Sequence, residues 1–148
     1  MSQAKTLWVY VVDDDPDVLK AFRRLLQTEG YNVGTFESPR AFLNANDPAA
    51  PGCVLLDVGM MEMDGLETQK QLAAVGDTRP VIFVTGLDDV PASIKAMKAG
   101  AHDYLIKPVA NQVLLTAVAT AVQHDLLARR ERVNLAKQAH QWQLLERA

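Results

Sequence analysis

Cysteine and long apolar runs are scarce in this chain, and each shortage excludes a class of protein. The 148 residues include one cysteine, Cys53, so an internal disulfide framework is excluded and a reducing compartment is expected. No apolar stretch approaches the roughly 20 residues that are needed to cross a bilayer, and the amino terminus makes a poor signal peptide. We therefore expect a cytoplasmic protein that does not use a membrane. Cys53 lies inside an apolar run, so we expect it to be a small buried core residue.

Histidine is also scarce, and glycine-rich phosphate-binding loops are absent. His102, His124 and His140 do not cluster in the sequence, and we interpret them as surface or packing residues. Neither G-x-G-x-x-G nor a P-loop occurs. An enzyme or cofactor binder, such as a flavodoxin or a small phosphatase, is therefore the least favoured hypothesis for this chain.

Charge is unevenly distributed along a chain that otherwise has the composition of one globular domain. Hydrophobic residues make up 49% of it, and the formal net charge is −3. Residues 1–125 hold 10 Lys+Arg and 16 Asp+Glu, a net charge of −6, whereas residues 126–148 hold 5 and 2, a net charge of +3. The change of sign predicts a domain over residues 1–127 and a helical extension over 128–148. The charge of the extension is too small to predict nucleic-acid binding.

Strand-like and helix-like segments alternate along the sequence. Apolar runs of strand length are each followed by a helical pattern, which predicts an α/β fold with a parallel sheet. The predicted strands are Leu7–Val12, Tyr31–Phe36, Cys53–Asp57, Pro80–Thr85 and His102–Ile106. Helix starts are predicted at Asp15-Pro16, at Ser38-Pro39, near Gly65, at Asp88 or Asp89, and at Asn111.

The last predicted helix contains no glycine or proline from Asn111 to residue 148. Apolar residues are frequent as far as Leu127, and beyond it they are too sparse to predict a coiled coil. Because an isolated helix is marginal in water, we expect the extension to need a partner, either another copy of the chain or a further domain.

Acidic, hydroxyl and ammonium groups stand at the ends of four predicted strands. Asp13 and Asp14 follow the first strand, Asp57 ends the third, Thr85 ends the fourth, and Lys107 follows the fifth. In parallel sheets, ligands bind beyond the carboxyl ends of the strands, where the strand order reverses. Crowded carboxylates raise one another's pKa, and Mg2+ suits a site of a few carboxylates and a phosphate. The sequence therefore predicts a metal-assisted phosphoryl site.

Three separated motifs resemble the receiver domain of two-component response regulators, and among these the FixJ-type subgroup. They are V-V-D-D-D-P at 11–16, V-T-G-L-D-D-V-P at 84–91 and A-M-K-A-G-A-H-D-Y-L-I-K-P at 96–108. The resemblance covers about Leu7 to Leu127. It implies a doubly wound, flavodoxin-like (βα)5 fold whose five-stranded parallel sheet has the order 2-1-3-4-5, here with an extended C-terminal helix.

The resemblance implies that Asp57 is the phosphoacceptor and that the site binds Mg2+. Attack of a carboxylate on phosphohistidine gives an aspartyl phosphate. The carboxylates of Asp14 and Asp57 and the backbone carbonyl of Gly59 match the family's metal ligands, and Asp13 matches an acidic residue that acts through water. Asp15, by contrast, is expected to be only a helix cap.

Three further positions match residues that respond to the phosphoryl group in this family. Lys107 matches the lysine that contacts the phosphoryl oxygens as a point charge. Thr85 matches the hydroxyl that moves to the phosphoryl group, and Tyr104 matches the aromatic residue whose rotation follows. The peptide bond before Pro108 is expected to be cis.

The loop after Asp57 departs from the family's common pattern, D-x-x-M-P-x-M-D-G. Residues 57–65 read D-V-G-M-M-E-M-D-G, so Met61 replaces the usual proline and Gly59 stands where a larger side chain is common. We expect a more mobile loop, because glycine is permissive and no proline fixes φ at position 61. Metal binding is expected to survive, since a carbonyl ligand needs no side chain.

The resemblance also implies partners. A sensor histidine kinase is expected to donate the phosphoryl group, and a homodimer is expected through the face over residues 90–106 or through the C-terminal helix. Since FixJ-type proteins usually carry a DNA-binding domain after a linker, we favour a receiver and linker from a longer transcription regulator. The alternatives are a complete single-domain regulator and a phosphorylation-independent interaction module. Apart from self-phosphorylation and self-dephosphorylation no enzyme activity is expected, and no direct binding of nucleic acid.

Overall fold

The computed structural model describes residues 6–59, 65–86 and 90–147, in which five strands alternate with five helices. The strands are β1 (Trp8–Val12), β2 (Asn32–Phe36), β3 (Gly52–Asp57), β4 (Val81–Thr85) and β5 (Asp103–Ile106). The helices are α1 (Pro16–Thr28), α2 (Pro39–Ala45), α3 (Gly65–Ala74), α4 (Val90–Lys98) and α5 (Asn111–Arg147). Over these described ranges, no helix is both long enough and apolar enough to cross a membrane.

All five strands form one parallel sheet in the order β2-β1-β3-β4-β5. This order confirms the doubly wound, flavodoxin-like fold that the resemblance implies. The order reverses between β1 and β3, which pair with Val12 opposite Leu56. Their carboxyl ends therefore lie side by side and open the crevice in which such sheets bind ligands.

Two predicted helix starts are confirmed by the capping contacts. The side chain of Asp15 accepts a hydrogen bond from the N–H of Asp17 at 2.9 Å, and Pro16 begins α1. The hydroxyl of Ser38 accepts one from the N–H of Ala41 at 3.1 Å, before α2. In both cases the cap satisfies an amide group that the helix itself leaves without a partner.

The remaining predicted boundaries also agree with the structure where it describes them. Each strand starts within one residue of its predicted first residue, and Gly65 begins α3. Asn111, which the sequence predicts as the cap of the last helix, is the first residue of α5. The predicted cap at Asp88 or Asp89 lies outside the described residues.

The apolar core consists of two clusters, one on each face of the sheet. The first includes Leu26 of α1 and Leu114 of α5, packed against the strands. The second includes Phe42 of α2 and Leu72 of α3. Burial of one such side chain stabilises the fold by about 1.5–3 kcal/mol. Cys53 belongs to the first cluster and is fully buried, as expected, and burial raises the pKa of its thiol to about 12.

A buried ion pair closes the amino-terminal edge of the sheet, opposite to the crevice. Arg79 Nη2 lies 2.7 Å from Asp77 Oδ2, and both side chains are almost completely buried. The guanidinium also donates to the side-chain oxygen of Asn46 and to the carbonyl oxygen of Ala50, and it lies 4.9 Å from the centroid of the Tyr10 ring. Burial alone would raise the pKa of Asp77, but hydrogen bonds from Arg79 and Asn46 outweigh it and hold the pKa below its usual range. The network ties the loop before β3 to the loop before β4.

Helix α5 continues well beyond the sheet. Its contacts with the rest of the protein extend as far as Arg129, and every residue from 130 to 146 is exposed. The helix runs without a break through the predicted domain boundary between residues 127 and 128, so that division stays a prediction. Trp142 and Leu145 are each 68% exposed, which leaves large apolar side chains of the extension in water.

Candidate functional site

Three carboxylates meet where the strand order reverses. Asp13 follows β1 and Asp57 ends β3, and both are buried, whereas Asp14 is exposed. One carboxylate oxygen from each residue lies within 4.8 Å of the other two. In the part of the chain that the structure describes, this is the only group of three such ligands. The fold therefore brings Asp57 next to the adjacent pair Asp13 and Asp14, which stands far from it in the sequence.

Backbone amide groups hold two of these carboxylates in place. Asp13 Oδ1 accepts a hydrogen bond from the N–H of Asp15 at 2.9 Å, and the N–H of Asp13 donates to the carbonyl oxygen of Phe36 at 3.1 Å. Asp57 Oδ1 accepts one from the N–H of Gly59 at 3.1 Å. These bonds orient both carboxylates and use one oxygen of each, which leaves both Oδ2 atoms for other partners.

Lys107 brings an ammonium group to both of these Oδ2 atoms. Its Nζ lies 2.8 Å from Asp13 Oδ2 and 3.5 Å from Asp57 Oδ2. The N–H of Lys107 donates to the carbonyl oxygen of Thr85 at 2.7 Å, so the end of β4 positions the lysine backbone. The peptide bond between Lys107 and Pro108 is cis, as the resemblance implies.

The crowding of charge shifts the pKa of two members of this cluster. Burial and the charge of Asp13 raise the pKa of Asp57, although the Gly59 N–H and Lys107 act in the opposite direction. Burial would lower the pKa of Lys107, but Asp13 and Asp57 outweigh it and raise the pKa. Three carboxylates face a single ammonium, so the cluster has an excess of negative charge.

The donor set fits a hard divalent cation. Carboxylate oxygens that lie within 4.8 Å of one another can share one ion, which would offset their excess charge. Mg2+ is usually bound by one or two carboxylates and keeps several waters, and the exposed Asp14 leaves room for them. The N–H of Gly59 donates a hydrogen bond to Asp57 Oδ1. The role of the Gly59 carbonyl as a metal ligand stays a prediction.

Thr85 and Tyr104 lie on the two strands next to the cluster. Thr85 ends β4, is fully buried, and donates its hydroxyl to the carbonyl oxygen of Gly86 at 3.2 Å. Tyr104 lies opposite Phe83 in the sheet and packs against the core on that face. Since side chains alternate along a strand, Thr85 and Phe83 share a face, and Tyr104 shares it with them. This arrangement is compatible with a linked movement of Thr85 and Tyr104, and their switch roles stay predictions.

Some features of the structure away from the carboxylate cluster were not predictable from the sequence. The rings of His102 and His124 approach each other, with centroids 5.6 Å apart, although the two residues are far apart in the sequence. The ion pairs Asp77–Arg79 and Asp125–Arg129 were also missed. Only the spacing of four between Asp125 and Arg129, which suits neighbours on a helix, could have indicated the second pair. Met61 lies outside the described residues, so the prediction of a more mobile loop stays untested.

The fold and the site together define a class of protein. It is a doubly wound α/β domain with a carboxylate cluster and a lysine at the point where the strand order reverses, between β1 and β3. Residues 9–119 match the family described as the response regulator receiver domain, which is more than half of the chain. The chain belongs to this family of two-component signalling proteins. Receiver domains interact with sensor kinases and belong to signalling regulators rather than to metabolic enzymes.

Individual relatives support this assignment, including its FixJ-type subgroup. Response regulator protein TmoT of Ectopseudomonas mendocina is 45% identical over 115 residues, which are 78% of this chain and 52% of TmoT. The solved structure of the response regulator StyR has a TM-score of 0.85 and 38% identity, over 91% of this chain and 68% of that one. The solved structure of full-length FixJ from B. japonicum has a TM-score of 0.79 and 34% identity, over 85% of this chain and 62% of the FixJ chain. The chain spans about half the length of the curated relatives it matches.

Proposed function

We propose that this chain is a phosphorylation switch in which Asp57 accepts a phosphoryl group from the phosphohistidine of a sensor histidine kinase. The observation that carries the proposal is the position of Asp57 where the strand order reverses. It belongs to a cluster of three carboxylates, and the ammonium of Lys107 lies 3.5 Å from its Oδ2. A carboxylate at this position can act as a nucleophile, and the lysine can neutralise charge on the incoming group.

In the proposed reaction, an oxygen of Asp57 attacks phosphorus, and the bond from phosphorus to the histidine nitrogen breaks. The product is an acyl phosphate on Asp57, and the histidine leaves with the electron pair of the broken bond. Lys107, already 3.5 Å from Asp57 Oδ2, would contact the phosphoryl oxygens as a point charge. Mg2+, held by Asp13, Asp14, Asp57 and the carbonyl of Gly59, would offset negative charge on the transferring group.

The switch is proposed to act through Thr85, Tyr104 and the face over residues 90–106. Thr85 lies at the end of β4 and contacts the cluster's lysine through its backbone, so new charge at Asp57 can change its hydrogen bonding. Ile94, Met97 and Ile106 leave part of their apolar surface in water, which supports this face as a site of dimerisation.

The output is proposed to be transcription regulation through a DNA-binding domain beyond this chain. Support comes from the relatives, several of which are named as transcriptional regulatory proteins and all of which exceed the matched region in length. The exposed helix over residues 130–146 then acts as a linker or as a second surface for dimerisation.

Direct labelling tests the proposed function. The full chain, incubated with acetyl phosphate and Mg2+, should gain the mass of one phosphoryl group in intact mass spectrometry. Peptide mapping should place the group on Asp57, and hydroxylamine, which cleaves acyl phosphates, should remove it. Absence of any mass gain, or a label on another residue that survives hydroxylamine, would contradict the proposal.

Asp14→Asn should weaken Mg2+ binding. Loss of a group that only supports a metal ligand already lowers metal affinity roughly tenfold. Loss of a direct ligand should therefore lower the Mg2+ affinity at least as much, and calorimetry on the metal-free chain measures this affinity. Asp15→Asn is the matched control, because Asp15 is also exposed but serves as a helix cap, which asparagine can replace. Equal Mg2+ affinities of the wild type and Asp14→Asn would remove Asp14 from the ligand set.

Gly59→Asn should slow the loss of the phosphoryl group. Gly59 is exposed, and its N–H donates a hydrogen bond to Asp57 Oδ1. Because the φ of Gly59 is not positive, the backbone at this position accepts a side chain. We infer that the missing side chain opens a path for water to the acyl phosphate, which asparagine would narrow. The measurement is the rate of dephosphorylation at fixed Mg2+, with Gly59→Ala as a smaller substitution that should slow it less. An unchanged rate in Gly59→Asn would refute the inferred role of Gly59.

A further inference from the structure

An ion pair fastens α5 to the edge of the sheet that lies opposite to Asp57. Asp125 is 1% exposed, and its Oδ2 accepts hydrogen bonds from Arg129 Nε at 2.7 Å and from the N–H of Gly52 at 3.0 Å. Gly52 begins β3. This position requires glycine, because its φ is +149° and a Cβ there would overlap the carbonyl oxygen of Trp8. A side chain of the helix thus binds the first amide of the strand that ends in Asp57.

The guanidinium of Arg129 also binds the loop that precedes β3. It donates to the carbonyl oxygens of Pro48 at 3.0 Å, Ala49 at 3.3 Å and Ala50 at 3.5 Å. The carbonyl oxygen of Ala50 also accepts a hydrogen bond from Arg79 at 3.4 Å. The loop is therefore held between two arginines, one from α5 and one from the segment before β4.

These contacts mark the end of the docked part of α5. Every residue from 130 to 146 is exposed, and a helical segment of this length is marginal in water unless it extends from a helix that is already formed. Asp125 Oδ1 is buried and has no hydrogen-bond partner among the described residues. Loss of Arg129 would therefore leave a buried charge that only the Gly52 amide contacts, which is a strongly unfavourable state.

We propose that Asp125 and Arg129 form a clamp that docks α5 on residues 48–52 and fixes the direction in which residues 130–147 leave the sheet. The clamp ends the docked part of the helix, and the extension continues from it as a rigid rod. All its contacts lie at the amino-terminal edge of the sheet, so it does not depend on the state of Asp57.

Hydrogen exchange on the full chain tests how far the helix is docked. In Arg129→Gln, amide exchange over residues 126–136 should rise at least about tenfold, while peptides around Asp57 and Lys107 keep their protection. Arg130→Gln is the matched control, because it removes the same charge from the next position, which is exposed, and should leave exchange unchanged. Unaltered exchange in Arg129→Gln would overturn the clamp.

A second variant covers the possibility that an unpaired Asp125 unfolds the whole domain. Asp125→Asn with Arg129→Gln removes both charges, and it should lose protection over residues 126–136 alone. If this double variant keeps the exchange pattern of the wild type, the ion pair does not dock the helix and the proposal is wrong.

Spin labels test the direction of the extension. Nitroxides at Lys20→Cys and Gln141→Cys lie on exposed positions of α1 and α5, and Cys53 does not compete for the label, because burial raises the pKa of its thiol to about 12. The distance distribution between the labels should be narrow in the parent and in Arg130→Gln, and broad in Arg129→Gln and in the double variant. A distribution that stays narrow in both clamp variants would overturn the proposal.

Discussion

We expect Asp57→Asn to abolish the transfer of a phosphoryl group from a small-molecule phosphodonor to this chain. The amide has nearly the size of the carboxylate and can still accept the hydrogen bond from Gly59 N–H, but it offers no anionic oxygen for attack on phosphorus. Intact mass spectrometry should detect no gain in mass under conditions that label the wild type. Asp15→Asn, which changes the same functional group at an exposed cap, should be labelled as the wild type is.

The loss of labelling in Asp57→Asn is not expected to come from unfolding. Burial and the charge of Asp13 raise the pKa of Asp57, so the folded protein favours the protonated form more than the unfolded chain does. Protonated Asp57 therefore stabilises the folded state at low pH, and this stabilisation is lost as pH rises through the raised pKa of Asp57. At neutral pH without metal, a neutral amide removes an unfavourable charge, so the melting temperature should not fall. Full labelling of Asp57→Asn would exclude Asp57 as the phosphoacceptor.

Arg79→Gln should destabilise the fold more than any surface change. Removing one partner of a buried ion pair leaves an uncompensated charge and costs roughly 3–5 kcal/mol, a large part of the about 5–15 kcal/mol by which a domain is stable. The side chains of Arg79 and Asp77 are 0% and 1% exposed, so water cannot replace the lost partner. Denaturant unfolding, followed by far-UV circular dichroism, measures the change, and Arg23→Gln on the exposed face of α1 is the control.

A double variant separates the charge at Asp77 from the other contacts of Arg79. Asp77→Asn with Arg79→Gln removes both charges and should recover part of the stability that Arg79→Gln loses. Despite burial, hydrogen bonds from Arg79 and Asn46 hold the pKa of Asp77 below its value in the unfolded chain. The Asp77 carboxylate therefore stabilises the fold above the pKa of the unfolded chain, and this stabilisation is lost as pH falls through the pKa of the folded protein. The wild type should therefore lose stability in acid more steeply than the double variant. Equal stability of Arg79→Gln and the wild type would show that the pair does not hold the loops before β3 and β4.

Local features of the fold were predictable because they depend on residues that are close in the sequence. A cap such as Asp15 or Ser38 bonds an amide two or three positions away, and the proline that follows has a φ suited to a helix. Strand ranges followed from apolar runs of the right length, and the alternation of strands and helices restricted the topology to a parallel sheet.

The site was predictable in membership but not in detail. Asp13, Asp57 and Lys107 were expected together, because they stand at the carboxyl ends of parallel strands and match a known family. The sequence could not indicate that the lysine lies closer to Asp13, at 2.8 Å, than to Asp57, at 3.5 Å. Nor could it predict that the hydroxyl of Thr85 bonds to the carbonyl oxygen of Gly86 instead of joining the cluster.

By itself the sequence determined the order of strands and helices, most of their boundaries, and which acidic residues share an edge of the sheet. The tertiary structure decided the partners of Arg79 and Arg129, the approach of His102 to His124, and the point at which α5 leaves the sheet. The physical reason is one of range. Capping and periodicity act over a few residues, whereas a buried charge is stabilised by whichever carbonyl and carboxylate groups the complete fold brings within hydrogen-bonding distance.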